Sequence, residues 1–517
     1  MLALLTGLAA ADSAVATFRV DAEGATLVRV VPAPGVVLSK GAGDLRVLDG
    51  EGRLLASAAL PDKARDATII YPEGGGAHFE LESAWVRVPV PWPDSARSLQ
   101  FEATTIGLTA PAPSDPVVAV DVDGPSDRRL DLLYLGDGYT VDELDTYRED
   151  VARLSTDLIT REPYASYSGL ISVWRVDTAS AESGASHYTS STIERDTAFD
   201  CYYGCGVARG LCCDDELVGE VVDATLPAAD AVVVLVNDST YGGIGASSYC
   251  TSYTGTYSEE VHAHELGHHI LGLWDEYSYG YAYGGAGGGP NCTSDSTGAT
   301  WSHWLDVEGI GAYTPCSYTD FHSPTNGDCL MYTLYKDLCA VCLEHSVRVI
   351  YEHLDELIVD PLPEGDTELE LGDTQAFSAE VLGPDDGSME IVWSVDEVEV
   401  EEAVVTCAEL GSHTITMSVA DPTSAVLLDT DGELRDTHTW TLTCVEAEEP
   451  EESDPPESEA PDESVPLDSN TPVVEDSDPP VAATPPPFSP EPRCGCGAPI
   501  GGAWFLGLAL FVLRRRR

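Results

Sequence analysis

Positive charge is scarce in this chain. Lys and Arg together number 25 against 89 Asp and Glu, a formal net charge of −64 over 517 residues. That imbalance argues against nucleic acid and anionic membrane surfaces as partners, since both repel a strongly acidic protein. A phosphate-binding loop is missing too: Gly136-Asp137-Gly138-Tyr139-Thr140 has neither the Walker lysine nor GxGxxG spacing, and reads as turn chemistry. Methionine is sparse, at four. The first residues lack a basic n-region, yet their apolar run ends in Ala9-Ala10-Ala11, so residues 1–11 resemble a truncated signal peptide. Cysteine, by contrast, is plentiful, at 14. In an exported protein that count reads as disulfides.

The chemistry concentrates between Ser258 and Tyr277, SEEVHAHELGHHILGLWDEY. On a helix, His264 and His268 lie four residues apart and project from one face. Two such imidazoles can share one Zn²⁺, and Glu265 can reach a water on that metal as general base. Ser258 is the expected N-cap, followed by acids in the first turn. Gly272 is the expected stop, whose reversal brings Asp275 back as third ligand, with Glu276 as the alternative. His262 and His269 point to other faces. His303 and His322 fall in loops, and would substitute for Asp275 only if that reversal fails.

HELGHHILGLWDEY resembles the signature of the IgA-peptidase-like zinc metalloendopeptidases. LLYLGDGYTVDEL, VWRVDTASAESGASH, VVVLVNDSTYGGIGA and CLMY resemble further blocks of that family's catalytic domain. The resemblance covers roughly 121–353 and implies a zinc peptidase with an α/β zincin-like fold. The spacing is one residue longer than the metzincin pattern, whose third ligand position is Trp274 here, a side chain that cannot bind metal. The resemblance also suggests Met331 as a methionine turn beneath the metal. Tyr277 and Tyr332 are candidate phenols for the oxyanion.

The expected layout is multidomain. Residues 12–120 alternate apolar and polar in short runs and read as an N-terminal β-sandwich. Residues 121–356 form the catalytic domain, with strands at Leu130–Leu135, Leu170–Val176 and Ala229–Val236 and a Thr140/Glu143 capping box opening a helix to about Thr160. Within it, Tyr241–Thr256 is either a strand edge that receives substrate backbone or a flexible surface loop. The Gly280–Gly289 loop reads as mobile. Ten cysteines of this region, even in number, favour disulfides over a second zinc site built on Cys339-x-x-Cys342 and the Cys201–Cys213 cluster. Residues 357–445 resemble an Ig- or PKD-like β domain with Trp393 in its core and a Cys407–Cys444 bridge. Asp429-Thr-Asp431-Gly432-Glu433 is too short for an EF-hand and reads as a turn, so calcium finds no support.

Residues 446–493, dense in acids and prolines, read as a disordered, extended stalk. In 494–517, Cys494-Gly-Cys496-Gly precedes an apolar segment and four arginines. This resembles the MYXO-CTERM sorting tail and implies processing at Cys494 or Cys496, a membrane segment and display at the cell surface. The sequence thus points to an exported, surface-anchored zinc endopeptidase acting on protein or peptide. A surface adhesin with a silent peptidase-like domain is the rival reading. Oligomeric state is left open.

Overall fold

A computed structural model describes residues 13–447, except 37, 39–42, 62–63, 112–113, 123 and 191. The expected signal peptide, the stalk beyond 447 and the sorting tail with Cys494 and Cys496 lie outside the described residues. Among those described, no helix is long and apolar enough to cross a membrane. The architecture is β-rich, with several sheets and few helices.

A mixed eight-stranded sheet carries the site. Its strands are β1 (Asp66–Ile70), β2 (Gly76–Glu80), β3 (Val117–Asp121), β4 (Leu130–Asp137), β5 (Ile171–Val176), β6 (Ala231–Val236), β7 (Gly243–Ala246) and β8 (Cys250–Tyr253), in the spatial order β3-β5-β4-β6-β8-β7-β1-β2. Strands β5, β4, β6 and β8 run parallel, and the remaining pairs are antiparallel. Every residue of β4 and β6 is buried, as expected of parallel strands covered on both faces. Four helices accompany the sheet: α1 (Leu144–Leu158), α2 (Asp215–Thr225), α3 (Ser258–His269) and α4 (Ala340–Glu352). The expected Thr140/Glu143 capping box is formed, with Thr140 N–H donating to Glu143 Oε2 at 3.0 Å.

The N-terminal strands make two facing sheets. Gly24–Pro32, Ser13–Asp21 and Ser83–Pro91 form one, and Leu54–Ala58, Leu45–Asp49, Ala96–Phe101 and Thr104–Ile106 the other. Phe18, Val47, Val86, Leu99 and Phe101 fill the space between them. The hairpin β1–β2 departs from the expected layout. It leaves these sheets and completes the central one, pairing Gly245 with Thr68 and Ala246 with Ala67. Alternation along a strand specifies which faces are apolar and not which sheet the strand joins, so its sequence alone does not show this.

Beyond α4, a five-stranded sheet with two short strand pairs holds the Cys407–Cys444 disulfide. Trp440, 1 % exposed, is its buried aromatic, and the partly buried Trp393 stacks on it at 5.7 Å. This corrects the assignment of Trp393 to the core. One apolar cluster runs from Leu130 and Leu132 of the central sheet to Trp440 and Leu442, and the hydroxyls of Tyr167 and Tyr351 both donate to Asp421. In the Asp429–Glu433 turn, Asp431 and Glu433 pair with Arg348, and Asp429 with Arg435.

Candidate metal centre

Helix α3 starts one residue earlier than expected. Tyr257, with φ of 77°, is its N-cap, and Ser258 is the first helical residue. The first-turn acids are held by arginines reaching across from α1 and the segment after it: Glu259 by Arg153 and Glu260 by Arg161. After His269 the helix stops, and Gly272 takes φ of 61°, the left-handed conformation a side chain would resist. Leu273 N–H then donates to Gly267 O at 3.1 Å, and the chain folds back over the helix.

That reversal brings Asp275 to the histidines. Its Oδ1 lies 3.2 Å from Nε2 of both His264 and His268, and the two Nε2 atoms are 3.0 Å apart. Their other ring nitrogens face backbone carbonyls, His264 Nδ1 toward Leu330 O at 3.0 Å and His268 Nδ1 toward Leu273 O at 2.7 Å. A carbonyl only accepts, so each Nδ1 carries a proton, and either ring, when neutral, presents an Nε2 lone pair. Three electron-rich atoms therefore converge in a buried space. Tetrahedral bonds of about 2.0–2.1 Å would separate such atoms by roughly 3.3 Å, close to the spacings here. The donor set fits a divalent metal.

Electrostatics agree with that fit. Burial disfavours charge on Asp275, yet the neighbouring His268 and His264 hold its carboxyl far below the ordinary carboxylate range. Burial disfavours charge on His268 as well, and the Asp275 carboxylate overrides it, lifting the imidazolium to about 9. Burial dominates at His264 and pushes it down. A metal would replace the proton that His268 and Asp275 otherwise share.

Glu265 is fully buried beside this centre, and burial raises its carboxyl to about 8. Its Oε1 receives a long hydrogen bond from Ile70 N–H, at 3.4 Å, and its Oε2 has no protein partner. Beneath the helix, a Cβ at Gly267 would meet Met331 Sδ at 3.1 Å. Met331 thus lies against the helix between the two histidines, and its carbonyl accepts from Glu276 N–H at 2.8 Å.

Other expected residues go elsewhere. Tyr277 hydroxyl donates to Ile69 O at 2.9 Å, which ties it to β1. Tyr332 is half-buried, its ring against Gly327. Glu276 turns away from the histidines toward Asn291, Thr325 and the thiols of Cys339 and Cys342. His269 is structural, Nε2 accepting from Val232 N–H and Nδ1 donating to Ala246 O. His262 faces Tyr134, and His303 faces Glu344. Within Tyr241–Thr256 the chain forms β7 and β8, and β7 is paired with β1.

Tyr279 is the functional residue that spacing did not indicate. Its hydroxyl donates to Asp275 Oδ2 at 2.9 Å, fixing the carboxylate that faces the histidines. Its place four residues after Asp275 is the one signal available. The loop that follows is tied down, Tyr283 N–H and Gly284 N–H both donating to Asp320. Cysteine pairing also differs from the expectation. Cys201–Cys213, Cys205–Cys212 and Cys292–Cys316 are bridged, while Cys250, Cys329, Cys339 and Cys342 are free.

Two histidines, a folded-back carboxylate and a buried acid beside them form a candidate centre for a divalent metal. Residues 118–326 match the family model described as IgA Peptidase M64, so that span is similar to the domain of that family. The match includes α3 and Asp275 and ends before Cys329. No curated protein matches the chain. Among solved structures, an endo-beta-1,4-mannanase from Thermotoga petrophila aligns at 10 % identity and a TM-score of 0.13, over 59 % of this chain and 62 % of that one. The chain therefore spans less than two thirds of that protein, and a score so low carries no argument about fold or activity.

Proposed function

We propose that the chain is an exported zinc metalloendopeptidase, displayed at the cell surface through its C-terminal tail. The observation that carries the catalytic part is the convergence of His264 Nε2, His268 Nε2 and Asp275 Oδ1 next to Glu265. When bound, zinc supplies Lewis-acid charge that acidifies water and polarises the scissile carbonyl. His264, His268 and Asp275 hold it, oriented by Leu330 O, Leu273 O and the Tyr279 hydroxyl. Glu265 takes the proton of the attacking water at Oε2 and delivers it to the leaving amine. The acid excess and the disulfides support export, and the Cys494–Arg517 pattern supports anchoring.

The test is Glu265→Gln. The variant should keep its zinc at α3 and lose casein cleavage by at least 100-fold, in line with the usual weight of general acid–base catalysis. Cleavage at the wild-type rate would remove Glu265 from the role of base. The adhesin reading would require a silent site, and the complete donor set speaks against it.

A further inference from the structure

A second set of ligand-type atoms lies outside the first centre. Glu276, Cys329, Cys339 and Cys342 are all buried, and one ligand atom from each lies within 4.8 Å of the others. Cys329 Sγ and Cys342 Sγ are 3.7 Å apart. Glu276 Oε1 is 3.3 Å from Cys342 Sγ and 3.9 Å from Cys339 Sγ. The backbone N–H of Cys339 points at Cys329 Sγ from 3.4 Å, as amides do toward a thiolate.

The spacings discriminate between the two things cysteines do. A disulfide requires sulfurs about 2.05 Å apart. Zinc–sulfur bonds of about 2.3 Å at tetrahedral angles put two sulfurs about 3.8 Å apart, and a sulfur and an oxygen about 3.5 Å apart. The observed values cluster around the second pair. Among the described residues eight cysteines are bridged, while these three and the distant Cys250 are not. Cys339 is the N-cap of α4 and Cys342 sits in its first turn, where the helix dipole favours thiolates. The other partners of Glu276, Asn291 Nδ2 and Thr325 Oγ1, carry no positive charge, so the buried carboxylate has no counter-ion among them.

We propose that Glu276, Cys329, Cys339 and Cys342 bind a second, structural Zn²⁺. Three thiolates select a soft, tetrahedral ion over calcium or magnesium, and four protein ligands leave no open position for chemistry. The site would clamp three segments that shape the first centre. Glu276 follows Asp275, Cys329 precedes Leu330 whose carbonyl holds His264, and the other two ligands open α4. The proposal does not depend on the chain being a peptidase.

Metal analysis of the full-length chain tests it. Wild type should carry two zinc ions, and His264→Ala/His268→Ala should keep one that a mild chelator removes slowly. Reloaded with Co²⁺, that double variant should show an intense thiolate-to-cobalt charge-transfer band, and adding Cys339→Ser/Cys342→Ser should abolish it. Because the cysteine substitutions could unfold the chain, the cobalt spectrum of the histidine variant stands as the decisive reading. A metal-free histidine variant, or a disulfide linking any two of the three cysteines in unreduced peptide maps, overturns the proposal. Casein cleavage by a chain whose three thiols react freely would sink this site alone. A chain with this zinc and no cleavage would sink the peptidase reading alone.

Discussion

Tyr279 contributes one hydroxyl to the centre, and that hydroxyl holds the outer oxygen of Asp275. Removing it should loosen the carboxylate while leaving every direct ligand in place. Tyr279→Phe is expected to weaken zinc binding about 10–100-fold, the usual effect of losing an orienting partner, as read by chelator competition. Asp131 offers a cleaner electrostatic test, away from any metal. It is fully buried, its Oδ1 accepts from Trp174 Nε1 at 2.7 Å, and its Oδ2 has no partner. Burial raises its carboxyl above the ordinary value of 3.8. The folded chain therefore binds this proton more tightly than the unfolded one, so the group costs stability at neutral pH, and the cost fades as pH falls to that ordinary value. Asp131→Asn should raise stability by about 1 kcal/mol at pH 7, with the gain vanishing near pH 4 in thermal melts. Spacing and residue type made His264, Glu265 and His268 visible in the sequence, and the glycine stop made Asp275 visible. Carbonyl partners such as Leu273 O and Leu330 O carry no side-chain signal, and no one-dimensional pattern marks them.

At the scale of elements, the turn after α3 decides where the third carboxylate sits. A Cβ at Gly272 would meet nothing within 4 Å, so substitution there tests backbone conformation without a clash. Gly272→Ala should cost about 1–2 kcal/mol, the penalty for a side chain in the left-handed region, and should lower zinc affinity along with the melting temperature. An unchanged melting temperature would show that the reversal is set elsewhere. The glycine, the acids of the first turn and the capping box before α1 were all legible, because each is a local rule. The cap of α3 was not, since a tyrosine with positive φ replaces the expected serine. The cysteines divide the same way. Their even number pointed to bridges, yet three of them gather around Glu276 through the fold of distant segments.

Across the whole molecule, short alternating runs announced a β-rich chain with two sets of strands flanking a more helical centre. They could not announce that the hairpin from Asp66 to Glu80 crosses over and finishes the central sheet. Nor could they show that one apolar cluster joins that sheet to the strands beyond α4. Long-range packing of this kind is fixed by which surfaces meet, and a strand with one apolar face can satisfy several partners.

That crossing has a consequence for turnover. Strand β1 is fastened beside α3, its Ile70 N–H on Glu265 and the carbonyls of Ile69 and Ile70 taken by Tyr277 and Tyr241. Were a substrate to add itself as a strand at that place, the hairpin would have to withdraw first. Phe79 wedges the hairpin against Gly206, so Phe79→Ala should ease withdrawal and quicken the initial rate of casein digestion severalfold. If the hairpin of that variant becomes sensitive to nicking while the digestion rate stays the same, the hairpin does not limit substrate entry.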